Sequence, residues 1–424
     1  MELLNRLVSL FAMPQQPIDE SFIAGSRHFC MMPFVHIHIT QYGTVTPCCQ
    51  TPWQENQAFG NINTQTIAEI WQGKAIQDFR STMRQDLPDA RCARCYGKEE
   101  AGLYSLRKSA NTDYLHHIQR VNQVSVPYSP VYFDVRFSNF CNFRCRICGP
   151  WSSSKWFNEA EELGLSGKGL RLSTAINDEP AFFKDFEQYI GSVEEIYFAG
   201  GEPLLMEQHY TLLDLLLAHR KTDVLLRYNT NFSTFSYKGK SIFDYWKKFT
   251  NVFICASLDG TDKRGEYQRK EQVWSEVVKH IQTIRAECPY IDFMIAPTVN
   301  VFSAFHLPDF HREWVEKGWI DVSEFFPSVL EEPKMYNIKI FPTALKAKLA
   351  IKYREHIQWV AAQTTTDQRA KTLILSEFES CVQFMLQEDF SSEIESFKQT
   401  TFKLDAMRNE SVVEVFPELK PLLD

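Results

Sequence analysis

From Val131 to Val329 the chain alternates short runs rich in β-branched and aromatic residues with stretches of helical period. The runs Val131–Arg136, Glu194–Phe198, Val224–Tyr228, Val252–Ser257, Phe293–Val299 and Val322–Phe326 are expected to be strands. Helical stretches such as Tyr210–Arg220 and Val273–Glu287 lie between them. Strand–helix alternation predicts parallel strands joined by right-handed crossovers, so six such units make a partial (β/α) barrel. A doubly wound sheet satisfies the same pattern. Ahead of this region, Val35–Thr40 alternates as a strand, and Gln41–Thr44 turns it into Val45 and Thr46, which reads as a β-hairpin. Between Thr66 and Arg84, Ile67, Ile70, Trp71, Ile76, Phe79 and Met83 recur at helical spacing, and Pro88 stops the helix before Cys92 and Cys95. After Pro342 the pattern is helical, clearest over Ala344–Ala362 and Asp367–Leu386. The tail from Asp405 is charged and turns at Pro417 and Pro421, as a packing or lid element with no assigned chemistry. These shifts divide the chain into residues 1–125, 126–340 and 341–424.

Composition narrows the class. A 424-residue chain with 44% hydrophobic and 23% charged residues is ordinary globular material for two or three domains. No apolar run approaches the roughly 20 residues that span a bilayer, so no membrane association is expected. The apolar run Leu7–Met13 follows Glu2 and lacks a basic flank, so no export signal is expected and the chain is placed in the cytoplasm. A net charge of −8 argues against a nucleic-acid-binding surface. The aromatic content, 14% with 33 Phe, is mostly what barrel packing needs, although it could line a channel for an organic substrate. The eleven cysteines are uneven. Cys30, Cys48, Cys49, Cys92, Cys95, Cys141, Cys145 and Cys148 are clustered early, while Cys255, Cys288 and Cys381 are isolated and read as small core residues. In a reducing compartment, clustered cysteines point to metal sites.

Cys141, Cys145 and Cys148 form a C-x3-C-x2-C loop directly after the first barrel strand. Three thiolates can hold three irons of a [4Fe–4S] cube and leave the fourth open to a ligand. A three-cysteine zinc knuckle or free loop thiols satisfy the spacing alone. At the end of the second strand, Gly200 and Gly201 let a ligand approach the backbone, and Glu202 before Pro203 offers an acceptor for an ammonium group.

The cysteine loop, the Gly-Gly-Glu-Pro strand end and the six βα units together resemble the radical S-adenosylmethionine (SAM) superfamily. That resemblance implies a cube whose open iron chelates the amino and carboxylate groups of SAM, and reductive cleavage of SAM to methionine and a 5′-deoxyadenosyl radical. It also implies that Gly200, Gly201, Glu202 and Pro203 contact the methionine end. Asn231 after the third strand, Ser257 and Asp259 after the fourth, Arg269 and, on the fifth, Val299 fall where the family places further SAM contacts. Arg269 suits the SAM carboxylate, and Val299 corresponds to an adenine contact. Ile147 departs from the aromatic residue or Met that many members carry there, which implies altered packing over adenine.

Upstream, Cys30 and Cys48 frame C-x12-G-x4-C, and Cys92-x2-Cys95 completes four ligands. The set suits zinc and iron–sulfur equally. With Phe59-Gly60-Asn61-Ile62 and Ile67-Ala68-Glu69-Ile70-Trp71, it resembles the SPASM/twitch module of radical SAM enzymes, here ahead of the barrel. Four ligands imply one auxiliary [4Fe–4S] cluster, with Cys49 as the alternative to Cys48. His36 and His38 share a strand face and read as a surface or partly buried pair. Arg144, Arg146 and Lys155 either shape the SAM site, attract an acidic substrate or form a solvated loop face.

The resemblance therefore implies an α/β radical SAM enzyme with a partial (β/α)6 barrel, an N-terminal iron–sulfur module and a helical C-terminal extension. An external electron donor such as a flavodoxin or ferredoxin would reduce it. The substrate class implied is a peptide or protein, the alternative being dehydrogenation or epimerisation of a sugar-like small molecule. The rival from another class is a non-catalytic, zinc-stabilised binding protein.

Overall fold

A computed structural model describes residues 18–52, 57–123, 128–165 and 171–424, so the Leu7–Met13 run lies outside the described residues. The parallel strands expected from the alternation form at β4 (Tyr132–Val135), β5 (Glu195–Phe198), β6 (Leu225–Thr230), β9 (Asn251–Ala256) and β10 (Asp292–Ile295). They pair in that order, each parallel to the next. The short strands β7 (Ser236–Tyr237) and β8 (Lys240–Ser241) form a small hairpin outside this sheet.

The last two runs are less regular than their composition implies. The fifth is split into β10 and β11 (Thr298–Val299) by Pro297, whose carbonyl accepts from the Ser328 N–H at 3.0 Å. Proline supplies no N–H to continue a ladder. Of Val322–Phe326, only a parallel bridge between Ile295 and Phe325 remains. The sixth unit pairs instead through β12 (Ser328–Val329), parallel to β11. The partial barrel thus thins toward its sixth strand.

The opposite edge holds an element that periodicity did not place. β1 (His36–Ile39) turns into β2 (Thr44–Thr46) as the expected hairpin, but β1 also pairs parallel with β4 over four residues. With β3 (Gly60–Asn61) on β2, the sheet reaches eight strands in the order β10-β9-β6-β5-β4-β1-β2-β3. The N-terminal hairpin is therefore an extension of the barrel wall.

The two faces of this sheet differ chemically. Phe133, Phe198 and Tyr228 point outward onto the crossover helices, meeting Phe186, His209 and Trp246 at ring-centroid distances of 4.9, 4.7 and 5.5 Å. The inner face carries His36 and His38, then Tyr132, Asp134, Arg136, Glu195, Tyr197, Arg227 and Cys255, a polar lining where barrels of this kind usually pack branched apolar side chains.

The helical stretch before Pro88 is two helices, Ile67–Trp71 and Lys74–Arg84. Thr66 and Glu69 close a capping box on the first. Gly73 breaks the run in extended backbone, where a Cβ would lie 2.8 Å from the Glu69 carbonyl. The C-terminal helices Thr343–Ala362 and Gln368–Gln387 match their periodicity, and Ile394–Arg408 leads the charged tail back to the barrel mouth. Among the described residues, no helix is long and apolar enough to cross a membrane.

Candidate functional site

The loop after β4 owes its shape to neighbours that hold its backbone. The Asn139 side chain donates to the Pro150 carbonyl at 3.1 Å, tying the two ends of the loop together. The Cys148 N–H donates to the Cys145 carbonyl at 3.0 Å, and the Trp156 indole N–H reaches the same carbonyl at 2.9 Å. The Arg144 and Arg146 N–H groups donate to the carbonyls of Lys270 and Gln268. This lattice buries Cys141 and Cys145 and half-buries Cys148. Burial pushes all three thiols up, Cys148 to about 12. A bound metal would invert this, since coordination deprotonates a thiol outright.

Three of the strand ends expected to serve SAM converge on these thiols. Asn231 donates from Nδ2 to Cys141 Sγ at 3.7 Å and to Asn142 Oδ1 at 2.7 Å. Arg269 reaches Cys145 Sγ at 3.8 Å, while its Nε lies 2.9 Å from Asp259. Asp259 is fully buried and also accepts from the Thr298 N–H at 2.8 Å, which fixes the guanidinium against the loop. Gly200 and Gly201 both have positive φ, +77° and +56°, and a Cβ on Gly201 would sit 2.2 Å from the Phe140 carbonyl. Only glycine can bring the end of β5 this close to the cysteine loop.

Glu202 also has a role within the fold. Its carboxylate is buried and accepts from the Thr230 hydroxyl at 2.8 Å, the Asn231 N–H at 2.7 Å and the Leu204 N–H at 3.2 Å. It therefore braces the ends of β5 and β6, and burial raises it to about 7 despite these donors. Pro203 starts the short turn after it. Ser257 is half-buried at the mouth, whereas Val299 lies fully within the main apolar core.

The second set gathers where the hairpin meets the helix Ala93–Glu100. Cys30 has Cys92 and Cys95 among its charged neighbours, and Cys48 has Cys95 and Cys30 besides adjacent Cys49. Cys49 faces Asp134 and Arg136 across the inner wall and also has Cys95 among its neighbours. All eleven cysteines are free thiols.

Among the described residues, no three cysteine sulfurs lie within 4.8 Å of one another. Four thiolates at about 2.3 Å around one zinc ion would stand about 3.8 Å apart. Neither set is drawn in to that spacing.

Several site residues carried no sequence signal. Arg146 is fully buried, not a solvated loop face: it lies 2.5 Å from Asp405 and 2.7 Å from Glu410, with its guanidinium 3.6 Å from the centre of the Tyr267 ring. Arg144 and Arg408 share buried Glu159. The partners of Arg146 and Arg408 are more than 200 residues away in sequence, beyond any local pattern. His36 and His38 are also buried, at 3% exposure each, because their strand sits inside the sheet and not at a surface. Cys255 lines the inner face, while Cys288 and Cys381 belong to the apolar core.

Comparisons with known proteins address the same two regions. Residues 30–96 match the family model of the SPASM iron–sulfur cluster-binding domain, and residues 135–300 match that of the radical SAM superfamily. No curated protein matches the chain. Native anSMEcpe with bound AdoMet aligns with a TM-score of 0.40 and 17% identity over 54% of this chain and 60% of that one. Streptococcus suis SuiB bound to precursor peptide SuiA aligns with a TM-score of 0.38 and 13% identity over 77% and 69%. The chain thus spans about 60% of the length of anSMEcpe. The two matched stretches contain the two cysteine sets that the fold assembles: residues 135–300 form a radical SAM domain, preceded at residues 30–96 by a SPASM-type iron–sulfur module.

Proposed function

We propose that this chain cleaves SAM reductively and uses the resulting radical to take a hydrogen atom from a peptide or protein substrate. The observation that carries the reading is the convergence of three thiols, two buried and one half-buried, the Asn231 amide and the Arg269 guanidinium on a strand end made of two left-handed glycines. A [4Fe–4S] cluster held by Cys141, Cys145 and Cys148 supplies one electron and an open iron for SAM. The chain's residues do the positioning. Arg269, fixed by Asp259, presents a cation beside Cys145 that suits the SAM carboxylate. Gly200 and Gly201 clear the space along the backbone where the methionine end would lie. Glu202 keeps two strand ends in register and retains lone pairs for an ammonium group. Water is restricted by burial of the loop beneath the C-terminal helix Ile394–Arg408.

Cys30, Cys48, Cys92 and Cys95 are assigned to one auxiliary cluster, which leaves no open ligand position there. An external one-electron donor is required, and a flavodoxin or ferredoxin has suitable chemistry. The reading is tested by anaerobic reconstitution of the full chain. About eight irons per chain and dithionite-dependent formation of 5′-deoxyadenosine are expected. Cys141→Ala should abolish 5′-deoxyadenosine and retain about four irons. Zinc in place of iron, or SAM cleavage by the variant, would overturn it.

A further inference from the structure

The inner wall of the barrel holds a polar group that the cysteine loops do not explain. Asp134 lies on β4 in register with His38 on β1 and Tyr197 on β5. Its Oδ2 is 2.8 Å from His38 Nδ1, with both side chains almost fully buried. Its other oxygen, Oδ1, is buried with no hydrogen-bond partner, and so is Nε of Arg136 two residues on. These two atoms are 3.7 Å apart, too far to satisfy each other. A carboxylate acceptor and a guanidinium donor thus stand side by side, both buried and unpartnered.

Solvent reaches this face. Along β6 the inner residues Leu225, Arg227 and Asn229 are half-buried while their outer neighbours Leu226, Tyr228 and Thr230 are buried. Tyr197, Phe253 and Met294 continue the same alternation on β5, β9 and β10. On these strands the inner face is reached by solvent and is not a packed core. The charges of the wall cancel locally, Asp134 against Arg136 and Glu195 against Arg227 at 2.8 Å, so it selects no net charge. It also adjoins the candidate SAM site. Arg136 runs beneath Gly200, where a Cβ would lie 2.9 Å from the Arg136 Cβ.

We propose that the inner wall of the barrel binds an amide group of the substrate, with Asp134 Oδ1 accepting from its N–H and Arg136 Nε donating to its carbonyl. An amide offers a donor and an acceptor on separate atoms, as this fork requires. A carboxylate lacks the donor, and an alcohol places both functions on one oxygen. His38 Nδ1 stands 2.8 Å from the other carboxylate oxygen of Asp134, so the N-terminal module contributes a wall and a positioning residue to the barrel's own substrate site. The inference deepens the peptide reading above and rests on it for the purpose of the bound amide.

The test uses three probes with the same fluorine reporter: trifluoroacetamide, trifluoroacetate and trifluoroethanol. Each is titrated against the anaerobically reconstituted full chain, and binding is followed by 19F line broadening. Saturable broadening is expected for the amide, with the other two weaker by about tenfold or more. Asp134→Asn and Arg136→Met should each weaken amide binding by about tenfold. If one variant fails to fold, the other still decides. Equal broadening by all three probes, or none, or unchanged amide binding in a folded variant, would overturn the proposal. 5′-Deoxyadenosine formation is measured on the same preparation. Its failure with selective amide binding intact would remove the SAM reading and leave the fork standing. SAM cleavage without amide selectivity would do the reverse.

Discussion

Arg146 offers the most direct test of how the C-terminal extension supports the cysteine loop. Arg146→Met keeps the length of the side chain and removes its charge. Asp405 and Glu410 are then left near each other at the barrel mouth, 9% and 16% exposed. Glu410 keeps Lys270 at 2.8 Å, whereas Asp405 keeps only neutral donors, the Tyr267 hydroxyl and the Val412 N–H, each at 2.7 Å. Removing one partner of a buried pair costs about 3–5 kcal/mol, since the other charge remains buried without compensation. With an unfolding entropy of about 2.1 cal/mol/K per residue, a chain of this length melting as one unit would lose roughly 3–6 °C in Tm. The double variant Arg146→Met/Asp405→Asn removes the stranded carboxylate as well. It should therefore recover a large part of the loss, and the coupling is read from a double-mutant cycle. Scanning calorimetry of the metal-free chain gives the energies. Iron retained after a chelator challenge reports whether the loop has loosened. A single variant melting within about 1 °C of the parent, or strictly additive effects in the cycle, would refute the clamp.

Three further outcomes follow from features elsewhere. Cys48→Ser should lose about four irons per chain and Cys49→Ser none, measured by iron analysis after reconstitution; equal losses would reverse the ligand assignment. Gly201→Ala should abolish SAM binding in equilibrium dialysis, since its Cβ would meet the Phe140 carbonyl at 2.2 Å in a left-handed backbone; wild-type affinity would rule out close approach at that strand end. His311 and His356 stand 2.9 Å apart, and burial pushes them down to about 3 and about 2. A free histidine takes up its proton below about 6.5, so the unfolded chain binds more protons and stability falls as pH drops from there, by about 1.4 kcal/mol per pH unit for each ring. His356→Gln should flatten that slope in denaturant titrations between pH 6.5 and 4; an unchanged slope would show that other groups carry it.

The elements with strong local periodicity were legible from residues alone. The helix Trp274–Glu287 begins one residue from its expected start, and the four strands β4, β5, β6 and β9 fall within a residue or two of theirs. The loop Cys141–Cys148 was equally legible, because its short spacings keep three thiols near one another whatever the tertiary fold. Three kinds of feature were not. The pairing of β1 with β4 joins segments almost a hundred residues apart, and an alternating strand does not announce which edge it will take. The burial of His36 and His38 follows from that pairing. The partners of Arg146 depend on where a helix 250 residues away comes to rest, which no window of sequence contains. Val299 is a motif position whose side chain lands in the apolar core, a placement the motif alone does not give.

The parallel ladder between β1 and β4 also constrains how this protein can be divided. In a barrel preceded by an independent module, a cut before residue 126 would release two folded pieces. Here the same cut strips β4 of its neighbour over four residues and leaves its backbone N–H and C=O groups unpaired along a parallel edge. The exposed edge would carry Tyr132 and Asp134 on one face and Phe133 and Val135 on the other, a template for intermolecular pairing. Aggregation, and not a soluble fragment, is the expected fate of a barrel expressed alone, so the two cysteine sets are parts of one folding unit and have to be assembled together.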